Sequence, residues 1–249
     1  NSAVAETLST IINNSFHFQV GDFRRLPFPY NVDSEKIKAI AKEAISISKS
    51  DWDRIELSPQ FNAIGLLDPI AKHRDTKASF SQMLTRDLST ISHLKAIMQH
   101  NNEEFISSFG LESIIKSEIP LDKISLCINP NFIYSNNLDG EELDSRYRCD
   151  TFSRLLSYSI GCIMGRYSLD REGLVYAHVG NQGFAELAAE GAYKSFPADD
   201  DGILPLTDQG WFSDDAANRF REFVRTVWAG QEGATELEQS QLLQKNLTF

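Results

Sequence analysis

The sequence predicts an α+β fold that is rich in helix. Three observations support this: several stretches have apolar residues at helical spacing, two short runs alternate apolar and polar residues, and glycines and prolines interrupt residues 166–210. The chain has 249 residues and a hydrophobic fraction of 41%. This is enough to bury a core in one large domain or two small ones.

The first predicted helices lie in the N-terminal half. Residues 3–12 and 34–49 carry apolar residues at helical spacing. The longest helix is expected at about 75–109, ending at Gly110, and would be roughly 50 Å long at 1.5 Å per residue. It has a heptad stripe consisting of Leu84, Ile91, Met98 and Phe105. Such a stripe needs a partner helix, either within this chain, as a core-packing helix, or in another chain, as a coiled coil.

Two further helices are predicted in the C-terminal half. One should run from Thr151 to Met164, because Asp150 is a suitable N-cap and Gly165 can end a helix in the left-handed conformation. A last helix should begin near Asp214 and Asp215, whose charges suit a helix N-terminus.

Short strands account for the β component of the prediction. Apolar residues alternate with polar ones over 16–20 and over 124–128, as in half-buried strands. Residues 174–177 are a third candidate. The region of about 166–210 is otherwise expected to be irregular, and a loop region of this length in a folded domain is more often functional than idle.

Composition limits the classes of function. Three cysteines without C-x-x-C spacing argue against a disulfide framework and a zinc site, and fit a reducing cytoplasm. No apolar run approaches the ~20 residues that span a membrane. The net charge of −11 opposes DNA binding. However, residues 145–171 hold five Arg against two Asp, whereas six Asp and no base lie in 199–215. Solvated faces are the ordinary explanation of such patches.

Catalytic motifs are missing from the sequence. A methyltransferase acting on adenine needs a glycine-rich turn for its cofactor and an Asn/Asp-Pro-Pro-Tyr/Phe loop for the flipped base. Neither occurs, since Asn131 stands where Asn129-Pro-Asn-Phe132 would need a second proline. We therefore predict no catalytic residue and no cofactor-binding residue. We also predict no metal site, because three consecutive acids at 199–201 are more often a solvated turn.

Several stretches of the chain resemble motifs of one protein family, and they occur in the same order as in that family. They are Phe18-Gln-Val-Gly-Asp-Phe-Arg-Arg-Leu-Pro27, Asp51-Trp-Asp-Arg-Ile-Glu-Leu-Ser-Pro-Gln-Phe61, Asn101-Asn-Glu-Glu-Phe-Ile-Ser-Ser-Phe-Gly-Leu111, Ser157-Tyr-Ser-Ile-Gly-Cys-Ile-Met-Gly-Arg-Tyr-Ser-Leu169, the run from Tyr193 to Asp208, and Phe220-Arg-Glu-Phe-Val224. From Asn1 to Trp228 the chain resembles the C-terminal part of PglX-like adenine-specific DNA methyltransferases of BREX phage-defence systems. It is also similar to fused restriction–modification enzymes. The tail after Ala229 departs from the pattern.

The resemblance implies a role without chemistry of its own. Residues 1–56 would be the trailing edge of the methyltransferase domain, and residues 57–249 the target-recognition domain. The chain would be a DNA-specificity fragment that is inactive alone, while S-adenosylmethionine would serve the parent enzyme. Its partners would be double-stranded DNA, the missing N-terminal methyltransferase domain and other defence-system proteins. The alternative is a scaffold that docks other defence-system subunits or a phage inhibitor.

The candidate DNA contacts are polar residues that flank the glycine-containing helix or follow it. Arg, Asn, Gln and Lys reach base edges and phosphates in protein–DNA complexes. An ion pair with Asp170 or a carbonyl cap is the competing role for Arg166. Two glycines four apart, Gly161 and Gly165, should let another backbone approach this helix. The candidates are Arg146, Arg148, Arg166, Tyr167, Asn181, Gln182 and Lys194.

Overall fold

A computed structural model describes residues 2–13, 15, 17, 19–68, 75–134, 138–209, 211–229 and 236–249. Helices are the only regular secondary structure in these residues. They are α1 (Ala3–Ile12), α2 (Val20–Arg24), α3 (Ser34–Trp52), α4 (Thr76–Phe109), α5 (Pro130–Ile133), α6 (Gly140–Ile163), α7 (Phe184–Ala189), α8 (Ala216–Val224) and α9 (Glu236–Thr248). None of the described helices is long and apolar enough to cross a membrane.

The chain divides into two compact units. The first contains Asn1–Asp51 and Asp87–Leu138, and the second contains Trp52–Arg86 and Asp139–Phe249. The predicted boundary after residue 56, which assigns residues 1–56 to a methyltransferase domain, stays a prediction.

In the first unit, the apolar face of α4 packs on α3. Ile91 and Leu94 of α4 are buried in a cluster that Ala44 and Ile47 of α3 join. The partner helix that the heptad stripe requires therefore lies within this chain. The helices predicted at 3–12, 34–49 and 75–109 are confirmed as α1, α3 and α4, and Gly110 follows α4 with a positive φ of 64°.

The predicted α+β class is wrong, because the described residues form no strand. Residues 124–128 show why. Ile124, Leu126 and Ile128 are buried in alternation, as predicted. However, the backbone N–H groups of Cys127 and Ile128 donate to the carboxylate of Asp51, at 2.6 and 3.1 Å. A carboxylate therefore takes the place of a neighbouring strand.

The other two predicted strands are not formed by the described residues either. Val175 is buried, but its N–H donates to the carbonyl of Arg166 at 2.9 Å, and Ala177 has a φ of 61° that an extended strand does not adopt. Of the predicted run at 16–20, Phe16 and Phe18 lie outside the described residues, and Val20 begins α2.

The helix predicted to begin at Thr151 begins much earlier. Asp139 is the N-cap of α6, and its side chain accepts a hydrogen bond from the N–H of Glu142 at 2.9 Å. Asp150 therefore lies inside the helix. The buried side of α6 continues through its charged first half, because Tyr147 and Thr151 are buried on the same stripe as Leu155. The last predicted helix is confirmed as α8, with Asp215 as its N-cap.

Candidate nucleic-acid interface

The C-terminal half of α6 packs on aromatic rings in the second unit. The ring of Tyr158 stacks on that of Tyr167, with centroids 5.1 Å apart, and both meet Phe61 edge-on. Gly161 faces this cluster, since a Cβ there would lie 2.3 Å from Cδ2 of Tyr167. The absent side chain of Gly161 therefore makes room for a ring, and the prediction of a close backbone at this glycine is wrong.

Burial of the cluster changes the acidity of its groups. Desolvation raises the pKa of Cys162 to about 12 and raises the pKa of Tyr158 well above its ordinary value. It also raises the pKa of Tyr167. The hydroxyl of Tyr158 donates to the carbonyl of Ser168 at 3.1 Å. These groups stay neutral near pH 7 and are suited to structure, not to proton transfer.

Residues far along the chain complete the end of α6. Gly165 has a positive φ of 73°, which ends the helix as predicted. Its carbonyl accepts a hydrogen bond from the buried hydroxyl of Tyr193 at 2.7 Å. The carbonyl of Ile163 accepts one from the N–H of Asp199 at 2.7 Å. The glycine-containing helix and the Phe-Pro-Ala-Asp run, which carry much of the family resemblance, therefore form one structural piece.

A polar cluster lies in the irregular segment beside this piece. Glu190 accepts hydrogen bonds from Arg171 and Gln182, both at 3.0 Å, and these bonds lower the pKa of its carboxyl. Asn181 uses its side chain locally, because its amide donates to the carbonyl of Gln182 and its oxygen accepts the N–H of His178. Gln182 is exposed, so its bond to Glu190 can exchange for another partner.

The two arginines predicted in the first half of α6 are both exposed. The guanidinium of Arg148 lies 5.7 Å from the ring centre of Phe249. Arg148 also borders a cavity of about 420 Å³ whose lining is mostly apolar. Arg146 points to solvent. Cations held at the surface in this way can contact phosphate groups.

The candidates near the end of α6 have different surroundings. Arg166 is exposed, with its guanidinium 5.5 Å from the ring centre of Tyr167, and Lys194 is exposed. Tyr167 is only 2% exposed. Because its ring is part of the core, Tyr167 presents almost no surface to a partner such as DNA. Asp170 accepts hydrogen bonds from the backbone and side chain of Ser195, so it has partners other than Arg166.

Asn129 has a structural role in the first unit. Its buried side chain donates to the carbonyls of Leu121 and Ile124, each at 2.8 Å, and accepts the N–H of Asn131 as the N-cap of α5. Both ends of this amide therefore bond to the protein itself. The prediction that the Asn-Pro-Asn-Phe run is not a methyltransferase loop stays a prediction.

The three consecutive acids form a turn. Asp199 accepts hydrogen bonds from the N–H groups of Asp201 and Gly202, and Asp201 accepts one from Ile203. Among the described residues, no group of three His, Cys, Asp or Glu side chains has the geometry to hold a metal ion.

Two residues that organise this region were not predicted. The guanidinium of Arg219 lies 4.7 Å from the ring centre of Phe196, and it donates to the carbonyl of Pro197 and to Glu222. The carboxylate of Glu56 accepts a hydrogen bond from the hydroxyl of Ser157 at 2.7 Å. The contacts of Arg219 with Phe196 and of Glu56 with Ser157 join residues more than twenty positions apart, so no local sequence pattern reveals them.

Comparison with known proteins finds two relatives. The chain is 41% identical over 249 residues to the adenine-specific methyltransferase BrxX of Escherichia coli O9:H4 (strain HS), an alignment that covers 100% of this chain and 19% of that protein. It is 29% identical over 241 residues to the adenine-specific methyltransferase PglX of Lacticaseibacillus casei (strain Zhang), covering 95% of this chain and 18% of that protein. No family model matches the sequence.

These alignments confirm the resemblance to PglX-like methyltransferases. The chain is similar to one segment of such proteins, because it spans about a fifth of the length of the relatives that it matches.

Proposed function

We propose that this chain is the DNA-recognition segment of a longer adenine-specific DNA methyltransferase that acts in phage defence. The observation that carries the proposal is the 41% identity to BrxX along the whole chain. The reaction itself, with S-adenosylmethionine as methyl donor, would take place on another part of the longer protein. The partners of this segment would be double-stranded DNA and the methyltransferase domain.

The position of the exposed cations on α6 supports this role. Arg148 and Arg166 are eighteen positions apart, or about 27 Å at 1.5 Å per residue if the helical rise continued to Arg166. One turn of duplex DNA is about 34 Å long. Cations in the first half of α6 and just beyond its C-terminus could therefore contact phosphates on one face of a duplex. Arg146 would contact DNA together with Arg148, and Lys194, which follows Tyr193, would contact it together with Arg166.

Base reading would fall to the amide side chains. An amide can pair with the edge of adenine through one donor and one acceptor. Gln182 is exposed and its side chain donates to Glu190, whereas the amide of Asn181 bonds within its own loop. We therefore propose Gln182 as the base-reading residue and Asn181 as the residue that shapes its loop.

The uneven distribution of charge along the chain would orient it on DNA. The six Asp of residues 199–215 lie in a stretch without Lys or Arg, which phosphates repel. DNA would therefore bind on the side of the chain that carries α6, and the affinity would depend strongly on salt concentration.

A binding titration tests the proposal. Fluorescence anisotropy of a labelled duplex should show binding by the chain at low salt and a marked loss at moderate salt. Arg146→Ala/Arg148→Ala should weaken binding about tenfold or more, because each lost phosphate contact removes part of the electrostatic attraction. Lys42→Ala is the control, since Lys42 is exposed on α3 in the other unit.

Absence of binding at low salt by a folded chain would contradict the proposal. If Arg146→Ala/Arg148→Ala and Lys42→Ala weakened DNA binding equally, α6 would not be part of the DNA interface. The alternative function, a scaffold for other defence-system proteins, is favoured by a separate feature, the exposed apolar side chains that precede α8.

A further inference from the structure

Four large apolar side chains are exposed within ten positions of one another just before α8. Ile203 is 66% exposed, Leu206 84%, Trp211 77% and Phe212 51%. We call these four residues the apolar patch. Aromatic side chains exposed together on a folded domain commonly mark an interaction site, and Trp is prominent among residues that dominate binding energy.

The backbone beneath the apolar patch is held by hydrogen bonds. The buried carboxylate of Asp215 accepts the N–H and the hydroxyl of Thr207, at 3.0 and 2.7 Å, and also the N–H of Ala217. The N–H of Ala216 donates to the carbonyl of Pro205 at 2.8 Å. These bonds tie the two ends of the segment together without using the four apolar side chains. Fixing the backbone in this way lowers the entropy cost of binding there.

The charge around the patch selects the kind of partner. Residues 195–218 contain six Asp and no Lys or Arg, and Arg219, which follows them, donates to Glu222 and to the carbonyl of Pro197. Asp200, Asp201 and Asp208 are exposed. Nucleic acid is disfavoured because its phosphates would meet these carboxylates, and a second copy would bring the same charge. A protein surface with Lys and Arg around apolar side chains complements both features of the patch.

We propose that the apolar patch is a docking site for a basic, amphipathic segment of a partner protein. The apolar side chains of the partner would cover Trp211 and Phe212, and its cations would pair with Asp200, Asp201 and Asp208. This site is separate from the DNA contacts proposed on α6 and does not depend on them.

A synthetic amphipathic helix of Leu and Lys is the probe, with a Leu and Glu peptide of the same pattern as its counterpart. Anisotropy of the labelled Leu/Lys peptide should report binding that weakens with salt, while the Leu/Glu peptide should not bind. Trp211→Ala should weaken binding about tenfold or more. Val179→Ala is the matched control, because Val179 is fully exposed outside the patch.

The charge contribution is tested by neutralisation. Asp200→Asn/Asp201→Asn/Asp208→Asn should weaken binding and reduce its salt dependence, and each Asn retains an oxygen that can accept backbone hydrogen bonds. Glu112→Gln/Glu118→Gln/Glu141→Gln removes the same charge from exposed positions elsewhere and should leave binding nearly unchanged. Circular dichroism confirms that each variant is folded.

Several results would overturn the proposal. The peptide could fail to bind, or the two neutralised sets could weaken binding equally, which would indicate general attraction to an acidic protein. Duplex DNA binding that Trp211→Ala abolishes would make the patch a nucleic-acid contact. Self-association in sedimentation experiments that Trp211→Ala abolishes would make it an interface between copies.

Discussion

At the scale of single residues, the second unit depends on the absence of a side chain at Gly161. The ring of Tyr167 occupies the space that a Cβ would need and stacks on Tyr158. The sequence showed that Gly161 was unusual, but not what would approach it. The tertiary partner, a tyrosine six positions later, could not be deduced from helical spacing.

We expect Gly161→Ala to destabilise the chain by about 1 kcal/mol. Overpacking a core costs ~1–3 kcal/mol and should exceed the ~1 kcal/mol that Ala gains in helix propensity. Urea unfolding followed by circular dichroism measures the difference. Gly140→Ala is the control. Among the described residues, no atom beyond its chain neighbours and the backbone of its own helix lies within 4 Å of the place that a Cβ would take, so this variant should be neutral or slightly stabilising. Equal stability of the two variants would contradict this packing of Tyr167 on α6.

The cysteines should differ in reactivity. Cys162 is buried with its pKa raised to about 12, so at pH 8 only about one thiol in ten thousand is ionised. Cys149 is exposed. We expect a thiol reagent to modify Cys149 readily at pH 8 and Cys162 only after unfolding, as measured by mass spectrometry. The variant Cys149→Ser should lose the rapid reaction, whereas rapid modification of Cys162 in the folded chain would show that the cluster is open.

At the scale of elements, helical periodicity predicted most helices correctly. The alternation of apolar and polar residues predicted strands that the described residues do not form. α1, α3 and α4 have stripes that show clearly in the sequence. The first half of α6 was missed because Tyr147 and Thr151 continue its stripe among charged residues. Alternation at 124–128 correctly indicated which side chains are buried, yet alternation cannot show whether a strand or a carboxylate such as Asp51 satisfies the backbone.

The segment before α8 should loosen in acid. Hydrogen bonds from Thr207 and Ala217 lower the pKa of Asp215 below its ordinary value of 3.8. A lowered folded pKa means that this stabilisation is present above about pH 3.8 and is lost as the pH falls through the lower folded value. We expect hydrogen exchange in residues 203–217 to be faster, after correction for intrinsic rates, below that value than at pH 7.

Asp215→Asn should produce part of this loosening at pH 7, because an amide accepts weaker hydrogen bonds than a carboxylate. Asp214→Asn is the neighbouring control. If exchange in residues 203–217 were the same in both variants, Asp215 would not hold the segment.

At the scale of the whole molecule, sequence motifs correctly predicted the relatives, whereas the site candidates stay predictions. The alignments to BrxX and PglX cover 100% and 95% of this chain. The site candidates were chosen by residue type near one helix, and residue type does not reveal burial. Tyr167 shows this, since a tyrosine beside an exposed arginine lies in the core.

We expect the chain alone not to bind S-adenosylmethionine, because the sequence has no glycine-rich turn of the kind that holds this cofactor. Isothermal titration calorimetry measures this directly, and the full-length relative BrxX serves as the comparison. Tight binding of the cofactor by the 249-residue chain would contradict the assignment of the reaction to another part of the longer protein.

The hydrogen bonds that complete α6 also constrain the order of events during synthesis. The carbonyls of Ile163 and Gly165 accept hydrogen bonds from Asp199 and Tyr193, and these two donors leave the ribosome after the helix does. When only the helix has emerged from the ribosome, its C-terminus therefore lacks these hydrogen bonds and its tyrosine cluster is uncovered. Folding of this end is coupled to translation of the following thirty-odd codons, and a pause within them would prolong exposure of that surface to chaperones.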